Sequence, residues 1–409
     1  MDDLVRRLAD VPAEALADLV LDGDEPWWRR VACARALTGR VPDHRAAELL
    51  ACVRDDEVTT AVRWALLTAL AEPGRPYSDE LLAWLRSQED APQDAGAGLD
   101  AAIAQARVAM ADLTVMGRLA RLAADPWADR RAFGERAVDS LIETQGLDAV
   151  LAALGVRSLD DLLTGGAGPA ERLLGVRLAW RAGRDVTPAL ADPATMVART
   201  AYELLGEAHD GDDGPLLTMV NERRPGHLWA LAVLHRRGHS IRAMWEDLGS
   251  PRVEVPGVPP DVREAIVRQY TPGERDTDPR WLLEAACLEP VPDPWDADFV
   301  EERLDRAAEA LAAAGLDPQE PVSAGDYHGT GTGTYDLIKT STGWVTVSTL
   351  GPFVAGNGAD ERAVTALRDA GFRYIAPELA RVRFEGLHVY FFGHREPLGV
   401  GDLLFYWQD

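Results

Sequence analysis

The chain has 409 residues, 47% of them apolar and 27% charged, a globular composition that excludes a disordered, collagen-like or membrane-embedded protein. Its 42 basic and 67 acidic residues give a formal charge of −25, a field that repels phosphate backbones and anionic membranes and favours a basic partner. Length alone allows two or three folding units.

The start, MDDLVRRLAD, is acidic and amphipathic where a secretory signal needs a basic region and an apolar run, so none is expected. Cys33, Cys52 and Cys287 lie far apart without CxxC spacing, which leaves no complete disulfide set and fits a reducing, cytoplasmic setting. The basic residues are arginine except for Lys339, a bias that a GC-rich genome produces by itself and that carries no functional weight at this stage.

Residues 1–250 read as short helices, since apolar residues recur at spacings of three and four and are broken by Gly, Pro and Asp clusters. Four segments share a layout, an Asp followed by an Ala- and Arg-rich helix: DEPWWRRVACARAL, DEVTTAVRWALLTAL, DPWADRRAFGERAVDSL and DPATMVARTAYELLG. They start at Asp24, Asp56, Asp125 and Asp192, one period of about 33 residues and then two double periods. The Asp is expected to cap its helix, and the small Ala positions admit a neighbouring helix closely. Val62, Arg63, Leu66, Leu67, Ala69 and Leu70, with Val197, Ala201, Leu204, Leu205 and Gly206, resemble the second half of a HEAT repeat. The short period resembles the repeats of bilin-lyase-type proteins, which implies a stack of antiparallel helix pairs and no activity.

Of the twelve tryptophans, Trp64, Trp84, Trp180, Trp229, Trp245 and Trp281 fall at core positions of helices. Trp27, Trp28, Trp127 and Trp295 fall at helix starts beside Asp and Pro, where the turns of a repeat stack reach the surface. They are buried under a neighbouring repeat, or they are anchors for a partner.

From Pro251 to Glu320 the segment carries 17 acidic and 7 basic residues. After the Pro-rich loop PRVEVPGVPP, helices are expected at about 261–270, 279–288 and 296–314, continuing or capping the stack. The last has an apolar stripe of Val300, Leu304, Ala307, Leu311 and Ala314, while Asp296, Asp298, Glu301 and Glu302 face solvent or a basic partner.

After Pro321 the pattern alternates, and a separate α+β unit over 321–409 is expected, with an antiparallel sheet and one helix across it. TYDLIKT and WVTVSTL form a hairpin around Ser341, Thr342 and Gly343, DERAVTALRDAGF is the helix, and FRYI, RVRF, LHVYFF and DLLFYW are strands.

No motif carries chemistry. HGTGTGTYD has glycines for a phosphate loop but continues as a strand and lacks the Lys-Ser/Thr ending. His235 and His239 have helical spacing without a flanking carboxylate pattern, and His328, His388 and His394 meet only if folding gathers them. No GxSxG is present. The expected fold is therefore a mainly α protein, a HEAT-like solenoid (1–250), an acidic helical segment (251–320) and a small α+β domain (321–409). The expected function is a non-enzymatic adaptor for a basic protein, with an immunity-type inhibitor as a subtype; no catalytic residue, cofactor, metal, nucleic acid or membrane is assigned. The alternative is an enzyme or small-molecule binder with its site in 321–409.

Overall fold

A computed structural model describes residues 1–88, 97–125, 128–164, 167–208, 211–270, 277–288, 297–356, 360–389 and 397–408. They fall into two compact units, Met1–Ala182 and Gly183–Asp409.

The first unit is helical: α1 (Asp2–Arg7), α2 (Ala13–Leu21), α3 (Trp27–Ala36), α4 (Ala46–Arg54), α5 (Thr60–Leu70), α6 (Ser78–Ser87), α7 (Ala97–Ala109), α8 (Met116–Ala123), α9 (Ala128–Gln145), α10 (Leu147–Ala153), α11 (Leu159–Thr164) and α12 (Pro169–Arg181). Helix α3 packs on α5, α5 on α7 and α7 on α9, while α2 packs on α4. The Ala-rich sequence of α3 and α5 permits this approach, because small side chains let helix axes close. One core runs from Leu16 to Ala106 and a second from Ala104 to Leu178. Gly134 of α9 lies where a Cβ would come within 2.5 Å of the Ala123 backbone, so only glycine lets α8 and α9 meet there.

Two arginines of the first unit make the same contact. Arg30 donates through Nε to the Val20 carbonyl at 2.8 Å, and Arg63 does the same to Val53, also at 2.8 Å. Each arginine reaches ten residues back to the end of the preceding helix, and the two pairs are 33 residues apart. A terminal carbonyl that its own helix leaves unpaired is thereby satisfied. Asp24, Asp56 and Asp192, expected to cap α3, α5 and the helix that starts at Thr195, do not occupy the N-cap positions, which belong to Pro26, Thr59 and Ala194. Asp22 and Asp55 accept from the amides of Asp24 and Glu57 in turns before α3 and α5.

The second unit begins with α13 (Thr195–Glu207), α14 (Gly214–Asn221), α15 (His227–Arg236), α16 (Arg242–Asp247), α17 (Pro260–Tyr270), α18 (Pro279–Cys287) and α19 (Ala297–Ala313). It ends with β1 (Val322–Ser323), α20 (Ala324–His328), β2 (Thr332–Gly333), β3 (Tyr335–Thr340), β4 (Gly343–Ser348), β5 (Phe353–Gly356), α21 (Glu361–Asp369), β6 (Arg373–Tyr374), α22 (Pro377–Ala380), α23 (Val400–Leu404) and β7 (Trp407–Gln408). The sheet order is β1-β3-β4-β5-β6, and β2 pairs with β7 apart from it.

The β3–β4 hairpin forms as its sequence predicts, with Lys339 opposite Trp344 and Ile338 opposite Val345. The antiparallel expectation is corrected at β6, which runs parallel to β5 because α21 carries the chain back across the sheet. RVRF forms a single bridge from Arg383 to Gly399, and Leu387–Val389 forms no strand. The rest of LHVYFF lies outside the described residues. Leu403 and Leu404 of DLLFYW are helical in α23, whose start is fixed by the Asp402 carboxylate accepting from the Gly399 amide.

Composition changes at residue 321, but packing does not. One core joins Val262, Ile266 and Trp281 to Phe353, Phe384 and Leu403, and another joins Ala307 and Leu311 to Ile338, Val345 and Leu367. Tyr270 donates to the Leu403 carbonyl across 133 residues of chain. The face of β3 and β4 bearing Ile338, Val345 and Val347 is therefore sealed by α19 and α21, while Tyr335, Lys339 and Trp344 point to the other face.

Candidate functional site

Helix α3 buries Val31, Ala32, Cys33 and Ala34 and turns its first two residues outward. Trp27 is 54% exposed and Trp28 46%, although an indole buried in a core would gain roughly 1.5–3 kcal/mol. Pro26 sets the direction of the first turn, and Arg30, drawn inward to Val20, fixes the helix rotation that leaves both rings outside. Glu25 holds Arg29 at 3.1 Å, and Asp22, Asp24 and Glu25 put three carboxylates on the turn before the rings. The turn before α5 repeats this with Asp55, Asp56 and Glu57, but Ala61 stands where Trp28 stands one period earlier.

Trp127, Trp295 and Asp296 lie outside the described residues, as does the side chain of Asp298. Glu301 and Glu302 are exposed on α19. Phe299, which the sequence reading did not single out, is 52% exposed beside them. Of the tryptophans assigned to helix cores, Trp229, Trp245 and Trp281 are buried, and Trp64, Trp84 and Trp180 are half-buried. Arg303 on the inner side of α19 also went unread: it donates to the carbonyls of Ser348 and Thr349 at 2.9 and 2.8 Å. Burial pushes its guanidinium below the ordinary value, with Arg306 adding to the effect and Asp336 opposing it.

The glycine-rich HGTGTGT is an ordered connection that pairs through β2 with β7. Gly329 closes α20 at φ +81°, which favours glycine. His328 Nε2 lies 2.9 Å from the Tyr335 hydroxyl, and its ring is 4.2 Å from that of Trp407. Tyr327 meets His328 and Trp344 at ring distances of 5.0 and 5.5 Å, edge to face. Trp407 donates through Nε1 to the Thr330 carbonyl, which holds the loop against the rings. His388 is half-buried next to core residues Leu387 and Val389, and His394 is outside the described residues.

Three further features are structural. Burial raises Asp112, but hydrogen bonds from Arg86, Thr114 and Arg107 outweigh it and hold the carboxyl far below its ordinary value. A hydrogen bond from Arg237 holds Asp213 low against the opposing effect of burial, and His239, 2.7 Å away, adds to the lowering. Burial pushes all three cysteine thiols up, the reverse of what a nucleophile needs. A cleft bounded by Pro377, Ala380, Arg381, Leu398 and Gly401 is open, and its Gly399 amide is already bonded to Asp402. Among the described residues no three His, Cys, Asp or Glu side chains lie close enough to hold a metal ion, and no helix is long and apolar enough to cross a membrane.

Comparison with family models, with curated proteins and with solved structures gives no match.

Proposed function

We propose that the chain is a non-enzymatic adaptor whose first helices form a HEAT-like solenoid and whose acidic surface receives a basic protein, an immunity-type inhibitor being one form of this role. The observation that carries the reading is the adjacent, half-exposed Trp27 and Trp28 at the rim of an acidic turn. Tryptophan is enriched among binding hot spots because it removes a large apolar area from water at little entropic cost. The surrounding carboxylates would speed encounter with a basic surface and discriminate against acidic ones. The solenoid part is supported by the Arg30 and Arg63 contacts 33 residues apart and by the packing of α3, α5, α7 and α9 in succession. A nucleic-acid or membrane partner is disfavoured by the charge of −25.

The test is affinity capture from native lysate at low and moderate salt, followed by reconstitution with the identified partner. A stoichiometric basic protein is expected, and its affinity should fall at least about thirtyfold when Trp27 and Trp28 are both replaced by Ala. No stoichiometric partner at either salt, or one bound equally by the double variant, would overturn the reading.

A further inference from the structure

Tyr327, His328, Trp344 and Trp407 touch one another in a row, yet none of them belongs to the apolar cores built around Trp281 and around Ile338. They lie on the face of the β3–β4 hairpin opposite α19 and α21, and Tyr327 is 50% exposed. Elsewhere in this unit aromatic rings are covered by guanidinium groups: Arg263 lies 4.5 Å from the Trp281 ring, Arg306 5.0 Å from Phe372 and Arg368 5.8 Å from Tyr374. At Trp344 the covering cation is instead Lys339, the single lysine of the sequence, at 5.9 Å. An ammonium is compact, strongly hydrated and mobile, whereas a guanidinium is planar, weakly hydrated and stacks, so an incoming arginine has an advantage at this ring that it would lack at the others. Asp326, one residue before Tyr327, is exposed, and its carboxylate accepts from the Ser323 hydroxyl at 2.8 Å.

We propose that this ring cluster is a docking site for arginine side chains of a basic polypeptide, with Lys339 as the displaceable cover of Trp344. The site rests on the protein-binding reading above and adds to it a location in the second unit and a side-chain chemistry. Charge complementarity selects the occupant: the field of the chain favours cations, and the rings distinguish arginine from lysine.

The experiment measures binding of a fluorescent peptide of alternating Gly and Arg to the full chain by anisotropy at 0.15 M salt, where exposed charges are screened beyond about 8 Å. Peptides with Lys, or with the neutral isostere citrulline, in place of Arg serve as controls. The Arg peptide should bind about tenfold more tightly than the Lys peptide, and the citrulline peptide should not bind. Tyr327→Ala should weaken Arg-peptide binding about fivefold with unchanged melting temperature. Lys339→Gln should tighten it about threefold, whereas removing an exposed charge in the other unit by Arg35→Gln should leave it unchanged. Equal binding of Arg and Lys peptides, no weakening by Tyr327→Ala, or no tightening by Lys339→Gln overturns the site. If the peptide binds but loses affinity only when Trp27 and Trp28 are replaced, the site falls while the adaptor reading stands. If the peptide does not bind, the site falls and the captured partner alone decides the adaptor reading.

Discussion

Arg63 and Arg303 are both buried and both donate to backbone carbonyls, Arg63 also pairing with Asp56, but they bridge different distances in sequence. Arg63 reaches ten residues back, and Arg30 makes the same contact one period earlier. Arg303 reaches 45 and 46 residues forward, to the end of a strand. From α1 to α9 the first unit is assembled mostly from contacts that close within a neighbouring helix or two, although α12 reaches back 54 residues to α8 through Arg177 and the Ala123 carbonyl, whereas the second unit closes contacts over more than 100 residues. In the first, each stretch of sequence carries its own instructions; in the second, a helix such as α19 completes its core only when β3, β4 and α21 arrive.

The largest effect that would sharpen this contrast concerns Asp112. Asp112→Ala leaves Arg107, whose side chain is fully buried, without its carboxylate, and should destabilise the first unit by about 3–5 kcal/mol. Denaturant unfolding followed by circular dichroism should show an early transition while the second unit keeps its own. Next, a fragment of residues 1–182 should stay folded, whereas residues 183–320 should not, because Ala307, Leu311 and Trp281 lose the side chains that bury them. Cooperative folding of 183–320 by calorimetry would break the comparison. A smaller effect is expected of Arg30→Met and Arg63→Met, each stranding a carbonyl at a cost of about 1–3 kcal/mol. The two losses should be similar, and a large disparity in melting temperature would argue against equivalence of the two contacts. The smallest concerns acid. Asp112 and Asp213 have folded pKa values below the ordinary 3.8, so they contribute stability above that value, and it is lost as pH falls from about 4 downward through the depressed folded values. An acid titration monitored by melting temperature should lose this component in Asp112→Ala.

Most of the helices and the β3–β4 hairpin were legible because their signals are local: apolar spacing, a Pro or Gly at an end, alternation around Ser341 and Thr342. Helix α19 was read to within a residue at each end, including its apolar stripe. The misread segments depend on distant partners. Leu403 and Leu404 alternate with nothing and look like a strand, yet Tyr270 and Ser348 meet their carbonyls and Asp402 starts a helix. The same holds for the candidate sites. Trp27 and Trp28 were visible because Asp and Pro flank them, whereas the row from Tyr327 to Trp407 spans 80 residues and no spacing rule joins its members. The repeated arginine contact had a signal in the 33-residue spacing of Arg30 and Arg63, which the overall arginine bias concealed.

Lys339 also has a practical consequence. It carries the only side-chain amine in the sequence, and it is exposed on the outer face of its hairpin. Besides the terminal amine, an amine-reactive dye would therefore meet one side-chain amine on the folded protein, next to an indole that quenches or shifts its emission. The chain thus comes with an addressable reporter position, and displacement of that side chain from Trp344 could be followed as a colour or intensity change without altering a single residue.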